Sequence, residues 1–353
     1  MQWDGAAVGA GREKGWGDFM GDTFLYTIRA ILPILFVILA GCGMRRFGRW
    51  GDEFYRQLNA LCFHFFLPVQ LFCNVYSIDG LSYMNWRSIG YILSGVLFCL
   101  LLGLLAACLF ILDRGQRGVI VQASFRSNQA ILGLPLANAL GGEAAMAFAA
   151  MATSLCVPLY NVLAVVVLTF FGSGGGRRLS LKTLLRRLAA NPLILGALSG
   201  ILAVVVRQFL PEVDGTPVFT IQNQLPSLFG ALTSLSKVAS PVMLFVLGAR
   251  FDFSAVRGLL PQLTVGIALR LVLCPAVVIG TALALRGPLA LTAVEIPTLV
   301  AISATPVAVS SAVMAQEMGC DDQLASQLVV WSSALSMATV FCIVYLLRFC
   351  GFL

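Results

Sequence analysis

Charge is scarce in this chain of 353 residues. Asp, Glu, Lys and Arg together make up 11% of it, and there is a single histidine. Hydrophobic residues make up 59%, and the mean hydropathy is +0.91. This composition excludes an ordinary soluble domain and predicts a polytopic membrane protein. Because a helix needs about 20 apolar residues to cross a bilayer, the chain has room for about ten spans joined by short loops.

The sequence also lacks the motifs of nucleotide-driven pumps and of common hydrolases. It contains no GxxxxGKS or GxxxxGKT phosphate loop, no HExxH and no GxSxG. The ten cysteines show no CxxC or Cys/His spacing, which argues against a disulfide framework or a zinc site. The net charge of +7 does not indicate nucleic acid, because the basic residues flank apolar segments. We therefore expect no enzyme, metal or cofactor.

One hydrophobic stretch, SFRSNQAILGLPLANALGG from residue 124, does not fit a lipid-facing helix. It carries polar side chains at Arg126, Asn128 and Gln129, followed by helix-breaking residues at Gly133 and Pro135. Each polar group in hydrocarbon costs several kcal/mol unless a partner satisfies it. A helix broken at mid-membrane beside polar side chains is typical of a transporter's substrate site.

Ten spans are predicted along the chain, with one long connection in the middle. Their approximate residues are 22–43, 54–76, 86–112, 118–140, 143–171, 190–210, 225–248, 259–285, 294–318 and 323–349. Residues 1–21 form a Gly-rich N-terminal arm, for which we expect disorder or an interfacial position. Residues 172–189 begin with GSGGGRR, continue as a basic amphipathic piece, and are interpreted as a linker.

The halves 22–171 and 190–353 repeat three landmarks in the same order. Spans 1 and 6 each have a proline with a glycine eight residues later, and spans 2 and 7, then 4 and 9, each contain a proline. These prolines are Pro33 and Pro192, Pro68 and Pro241, and Pro135 and Pro306. Five spans per half is an odd number, so the second half enters the membrane from the opposite side. The predicted fold is all-α: ten transmembrane helices as two inverted five-helix repeats, with helices 4 and 9 broken and crossing at Pro135 and Pro306.

Basic residues in the loops predict the orientation. With the N terminus outside, thirteen Lys and Arg fall in inner loops and seven on the outer side. The positive-inside rule then places both termini outside and the basic linker in the cytoplasm. The Ala-, Gly- and Leu-rich composition with short loops indicates a bacterial inner membrane.

Four motifs, taken in order, resemble the auxin efflux carrier family of membrane transporters, in its bacterial branch. They are FRSNQAILGLPL, AANPLILGALSGIL, SPVMLFVLGARFD and ATPVAVSSAVMAQEMGCDDQLASQLVV, and the resemblance runs from about Met20 to the C terminus. It implies a scaffold domain of helices 1, 2, 6 and 7 and a mobile transport domain of helices 3–5 and 8–10, an architecture similar to the bile acid/sodium symporter superfamily. It also implies a small organic anion as substrate, such as malonate, malate or an auxin-like acid, a homodimer, and Met20 as the natural start.

By position, the resemblance places the family's crossover asparagine on Asn128 and its crossover prolines on Pro135 and Pro306. The single proline in the second break, with Ser and Thr around it, departs from the plant pattern. Physically, half-helix N-termini favour an anion, and Arg126 adds a full charge. The candidate substrate-binding residues are Arg126, Asn128, Gln129, Gly133, Pro135, Ser303, Thr305, Pro306 and Ser310.

Each of these assignments has an alternative in which the residue has only a structural role. Arg126 can snorkel to the interface or pair with a carboxylate, Asn128 can form an interhelical hydrogen bond, and the prolines can be simple kinks.

Four further residues are candidates for coupling or charge balance. His64 and Lys237 each lie four residues before a repeat-related proline, and either can titrate near neutral pH in a suitable site. Arg270 lies at the middle of span 8, where it can balance an anion or pair with Glu295 or Glu317. Glu317 is the one candidate for a sodium site. The candidate coupling ions are therefore H⁺, through His64 and Lys237, and Na⁺, through Glu317. A membrane sensor that binds without turnover, and a passive channel, are the alternative functions.

Overall fold

The computed structural model describes residues 16–48, 50–77, 85–172, 181–213, 216–217, 219–289, 291–292 and 294–353. It is helical apart from a ribbon of two antiparallel strands, β1 (Glu212–Val213) and β2 (Thr216–Pro217). The helices of the first half are α1 (Trp16–Arg46), α2 (Asp52–Leu61), α3 (Leu67–Tyr76), α4 (Trp86–Phe110), α5 (Arg114–Phe125) and α6 (Leu134–Phe171). The connection contains α7 (Leu181–Ala189).

The second half contains nine helices within the described ranges. They are α8 (Pro192–Gln208), α9 (Ile221–Gln224), α10 (Pro226–Ala249), α11 (Val256–Ala268), α12 (Cys274–Ala284), α13 (Arg286–Leu289), α14 (Glu295–Ser303), α15 (Ser310–Glu317) and α16 (Asp322–Phe349). The first helix begins at Trp16, so residues 16–21 of the predicted N-terminal arm are helical and not disordered. An interfacial position for them stays a prediction. Residues 1–15 of that arm lie outside the described residues.

Six helical stretches of the described chain are long and apolar enough to cross a membrane. They are Asp52–Tyr76, Trp86–Phe110, Gln129–Phe171, Pro226–Ala249, Phe253–Ala284 and Asp322–Phe349, and Pro192–Gln208 is a shorter apolar helix. The longest of them includes α6, which bends at Gly142 (φ 70°, ψ −165°), a left-handed backbone angle that glycine adopts without strain. The bend falls between the predicted spans 4 and 5.

Three turns of π-helix each end two residues before a proline. They are Cys62–Phe66 before Pro68, Gln129–Gly133 before Pro135, and Leu269–Leu273 before Pro275. Proline has no N–H, and its ring collides with the carbonyl four residues earlier in a regular α-helix. A wider π-turn accommodates the ring without ending the helix.

The prediction of a helix break at Pro135 is therefore wrong in position. The helix stops at Phe125 and resumes at Gln129, and Pro135 is the second residue of α6, inside the resumed helix. The π-turn before Pro135 keeps that helix continuous. In the second half the helix stops at Ser303 and resumes at Ser310, and Pro306 lies within the interruption.

Glycines allow α1 and α10 to approach until their backbones touch. A Cβ atom on Gly41 would lie 2.1 Å from the carbonyl oxygen of Phe245, and one on Gly248 would lie 1.9 Å from that of Ile38. Both distances are far below van der Waals contact. The first helix of the chain therefore packs closely on α10 of the second half.

The contact between α8 and α3 corresponds to the contact between α1 and α10, with the two halves of the chain exchanged. A Cβ atom on Gly196 would lie 2.6 Å from the carbonyl oxygen of Pro68, and one on Gly200 would lie 2.8 Å from Cβ of Val75. The glycines that the sequence comparison paired, Gly41 and Gly200, thus both face a helix of the other half.

We expect Gly41→Ala to destabilise the protein, because the added methyl group has no space against the α10 backbone. Overpacking of this kind costs about 1–3 kcal/mol. Gly43→Ala is the matched control, since a Cβ atom at Gly43 meets nothing within 4 Å. Thermal unfolding of the two purified variants should show a lower melting temperature for the first alone. Equal melting temperatures would contradict the close α1–α10 packing.

Candidate functional site

The two interrupted segments, residues 126–128 and 304–309, lie side by side and bond to each other. Ser127 and Val307 form an isolated antiparallel bridge. The N–H of Asn128 donates to the carbonyl oxygen of Pro306 at 2.8 Å, and the N–H of Ala308 donates to that of Arg126 at 3.1 Å. Backbone groups within a membrane must find partners in the protein, and here each interruption supplies partners to the other. We call this pair of segments the crossing.

Arg270 joins the helix ends that precede the crossing. Its side chain is 2% exposed and lies on the π-turn between α11 and α12. It donates to the carbonyl oxygens of Thr305 (2.8 Å), Ser303 (2.9 Å), Ile302 (3.2 Å) and Ser124 (3.2 Å). Carbonyls at a helix C-terminus lack intrahelical donors and attract a cation. Arg270 therefore caps the C-terminal ends of α5 and α14 together.

Neither glutamate that we had considered as a partner of Arg270 contacts it. Glu295 accepts from the N–H of Thr292 (2.8 Å) and from Nδ2 of Asn85 (3.3 Å). Glu317 accepts from Nδ2 of Asn59 at 2.9 Å. Because four carbonyls already surround its guanidinium group, the proposed ion pair of Arg270 is not formed.

Arg126 is buried, with 4% of its surface exposed, and its described partners are all neutral. Its Nη2 donates to Oδ1 of Asn161 and to Oγ of Ser310, both at 2.8 Å, and its Nη1 contacts the sulfur of Met314. In the part of the chain that the structure describes, no carboxylate forms an ion pair with Arg126. A buried cation without a counter-charge is costly, so this position stabilises an anion that reaches it.

Two buried amide groups beside Arg126 also have unused donors. The Nδ2 of Asn128 has no hydrogen-bond partner among the described residues. The same holds for Nε2 of Gln129, whose Oε1 accepts from Oγ of Ser127 (3.3 Å) and from the hydroxyl of Tyr160 (3.2 Å). An unpaired buried donor costs about 1–3 kcal/mol. Such donors in a native protein need a partner, which a bound acceptor or an ordered water can supply.

A cleft of about 80 Å³ lies against the crossing, between two walls. One wall comes from the crossing, the two half-helices that follow it, and α6: Arg126, Ser127, Asn128, Ala130, Ile131, Val157, Tyr160, Asn161, Ala308, Val309 and Ser310. The other comes from α3 and α10: Leu67, Gln70, Leu71, Asn74, Ser240 and Met243.

The cleft brings together only some of the residues proposed from sequence. Arg126, Asn128 and Ser310 line it. The other proposed residues do not line it. Gln129 bonds Ser127 and Tyr160, Pro135 is the second residue of α6, and Gly133 lies against the backbone of Ala301. The hydroxyls of Ser303 and Thr305 donate to helix carbonyls, and the carbonyl of Pro306 accepts from Asn128. These residues shape the crossing and do not form the cleft wall.

His64 and Lys237 lie outside the cleft. Both side chains are exposed, and Nδ1 of His64 is 2.9 Å from the carbonyl oxygen of Ala60 in its own helix. Proton coupling by this pair stays a prediction, and it would have to act from outside the cleft.

Sequence reasoning missed six polar residues of the cleft, one of which is Ser127 in the crossing; the other five lie on helices. They are Gln70 and Asn74 on α3, Tyr160 and Asn161 on α6, and Ser240 on α10. The signal was present, since an amide inside an apolar span is expensive and needs a reason. Gln70 and Asn74 are also four residues apart, which places them on one helix face.

Comparison with known proteins identifies the family of the chain. The sequence profile of the family described as membrane transport protein matches residues 26–344. An uncharacterized transporter of Methanothermobacter thermautotrophicus is 22% identical over 334 residues, which cover 91% of this chain and 97% of the relative. The protein is a membrane transporter and not an enzyme. The chain belongs to the membrane transport protein family, the auxin efflux carrier family that its motifs resemble.

Proposed function

We propose that this protein is a secondary transporter or facilitator of a small organic anion, bound through a carboxylate at the crossing. The observation that carries the proposal is Arg126, a buried cation at a polar cleft with only neutral partners among the described residues. Asn128 adds an unused donor beside it. A carboxylate supplies the missing charge and the missing acceptor at once.

The backbone at the crossing favours the same ligand. Helical structure resumes at Gln129 and at Ser310, next to the cleft residues Asn128 and Val309. The first N–H groups of a helix have no intrahelical acceptor, and the helix dipole makes that end positive. Both resumed helices therefore add positive potential where the carboxylate would bind.

We propose further that the helices form two inverted five-helix repeats, in residues 22–171 and 190–353. The reciprocal packing of α1 on α10 and of α8 on α3 supports the repeat, as do the two interruptions in corresponding places. In this scheme α1–α3, α8 and α10 form the scaffold, and α4–α6, α11, α12 and α14–α16 form the transport domain. The cleft lies between these two groups, where a displacement of one domain exposes it to either side.

Polar contacts join the two groups at one end of the helices, which we call the basic end because Arg45 and Arg250 lie there. Asn59 of α2 is 3% exposed and donates to Glu317 of α15 at 2.9 Å. Arg250 forms an ion pair with Asp322 of α16 at 2.9 Å. With both termini outside, the basic end is cytoplasmic, and these contacts support a state closed on that side.

Alternating access requires Asn59 and Glu317 to separate. We expect a short bifunctional thiol reagent to stop transport when it links cysteines placed at both positions, in a background without the native cysteines. Each single-cysteine variant is the control and should transport after the same treatment. Full transport with the link in place would contradict the proposed displacement.

Binding of carboxylates to the purified protein tests the function itself. A ligand that binds only the folded protein raises its melting temperature. We expect a rise with at least one small mono- or dicarboxylate, and loss of that rise in Asn128→Ala. A rise that survives the substitution would keep the anion and move its site. No rise with any carboxylate would contradict the proposed substrate.

A further inference from the structure

The α3 wall of the cleft carries two amide side chains that have polar atoms without a described hydrogen-bond partner. Gln70 and Asn74 point from one face of α3 into the cleft, beside Leu67 and Leu71. The Nε2 of Gln70 donates to the carbonyl oxygen of Ser236 on α10 at 3.4 Å, so this half of the amide joins two helices. Neither Oε1 of Gln70 nor the amide of Asn74 has a hydrogen-bond partner within the described ranges. Asn74 therefore joins α3 to no other described helix, and an amide of this kind in a membrane-spanning helix indicates a ligand or water pathway.

The charge of the cleft limits what these amides can meet. Arg126 is the one charged side chain on the described cleft wall, and that wall includes no carboxylate. Arg270 lies behind the wall and is occupied by four carbonyls. The cleft therefore supplies one full positive charge on the crossing side and only neutral groups on the α3 side.

We infer that the substrate is a small monocarboxylate that carries a neutral polar group, such as a hydroxyl or a carbonyl, a few atoms from the carboxylate. Arg126 and Asn128 bind the carboxylate, and Gln70 and Asn74 bind the neutral group. The inference rests on the proposed function and adds the class of its substrate.

The alternatives leave groups unpaired. A second carboxylate on the α3 side would be buried without a cation to neutralise it. An unsubstituted acid would leave Oε1 of Gln70 and the amide of Asn74 without partners, and a site built to bond a polar group rejects an analogue that lacks it. An amide can donate and accept, so it matches a hydroxyl in either direction.

Three ligands at pH 7 test this inference on the purified wild-type protein: propionate, lactate and malonate. We expect calorimetry to give lactate a Kd about tenfold or more below that of propionate, and malonate to bind more weakly than lactate. These comparisons need no variant. Equal affinities for propionate and lactate, or tightest binding by malonate, would overturn the inference and leave the proposed function standing. If none of the three binds, the inference is overturned, and the wider panel of carboxylates decides whether the proposed function stands.

A variant locates the preference on α3. Asn74→Leu should raise the Kd of lactate to that of propionate and leave the Kd of propionate within about twofold. Asn74→Ala, a smaller change, should do the same if the first variant does not fold. Gln57→Leu is the matched control, because Gln57 is exposed on α2 and bonds only Glu53 among the residues described. An equal loss for lactate and propionate would remove Asn74 from the recognition of the neutral group.

Discussion

Replacing Arg126 with glutamine should abolish carboxylate binding at concentrations that saturate the wild type. Truncating one partner of a buried charge pair costs about 2–5 kcal/mol, which raises the Kd by about 30-fold or more. The loss falls on every carboxylate, since the contact is with the group they share. Calorimetry with lactate and malonate on both proteins measures it.

The unliganded variant separates this role from a structural one. In the free protein Arg126 is a buried charge with neutral partners, so Arg126→Gln should leave the melting temperature unchanged or raise it. The glutamine amide can still bond Asn161 or Ser310. Arg114→Gln controls for loss of charge alone, because Arg114 is a cation near the exposed ring of Phe170 at the basic end. A variant that melts early and still binds carboxylates would show that Arg126 serves the fold.

Replacing Arg270 with methionine should have the opposite profile, with a large loss of stability. The substitution leaves four buried carbonyl oxygens without donors, and each such group costs about 1–3 kcal/mol. We expect poor yield and a melting temperature well below that of the wild type. Arg270→Lys keeps the charge between the two helix C-termini and should retain part of the stability.

Binding by the lysine variant completes the test. Because Arg270 does not line the cleft, Arg270→Lys should bind carboxylates with nearly wild-type affinity. A stable methionine variant would contradict the capping role, and a lysine variant that folds without binding would bring Arg270 into the site.

The helix positions could be predicted from the sequence because the membrane requires long apolar segments between polar ones. The predicted span 86–112 and the observed helix Trp86–Phe110 differ by two residues. The break before Asn128 could not be located, because the sequence offered Gly133 and Pro135 as breakers. A proline need not end a helix, since Pro33, Pro158, Pro241 and Pro261 all lie inside α-helices. Sequence does not show which prolines follow a π-turn.

The two buried arginines show that sequence alone also cannot separate a structural residue from a ligand-binding one. Arg126 and Arg270 are both buried cations within apolar segments, and composition treats them alike. Their environments differ because the carbonyls that surround Arg270 exist only once α5 and α14 end at the crossing. Arg126 has side-chain partners instead and faces the cleft. The distinction depends on contacts between distant parts of the chain.

Counterflow in proteoliposomes tests the central claim most directly. Vesicles loaded with unlabelled lactate and placed in a trace of labelled lactate should accumulate the label transiently above equilibrium, and Arg126→Gln should not. Saturable exchange through an alternately exposed site requires that overshoot. Binding without any flux would make the protein a sensor, and flux without overshoot or saturation would make it a channel. Either result would contradict the account.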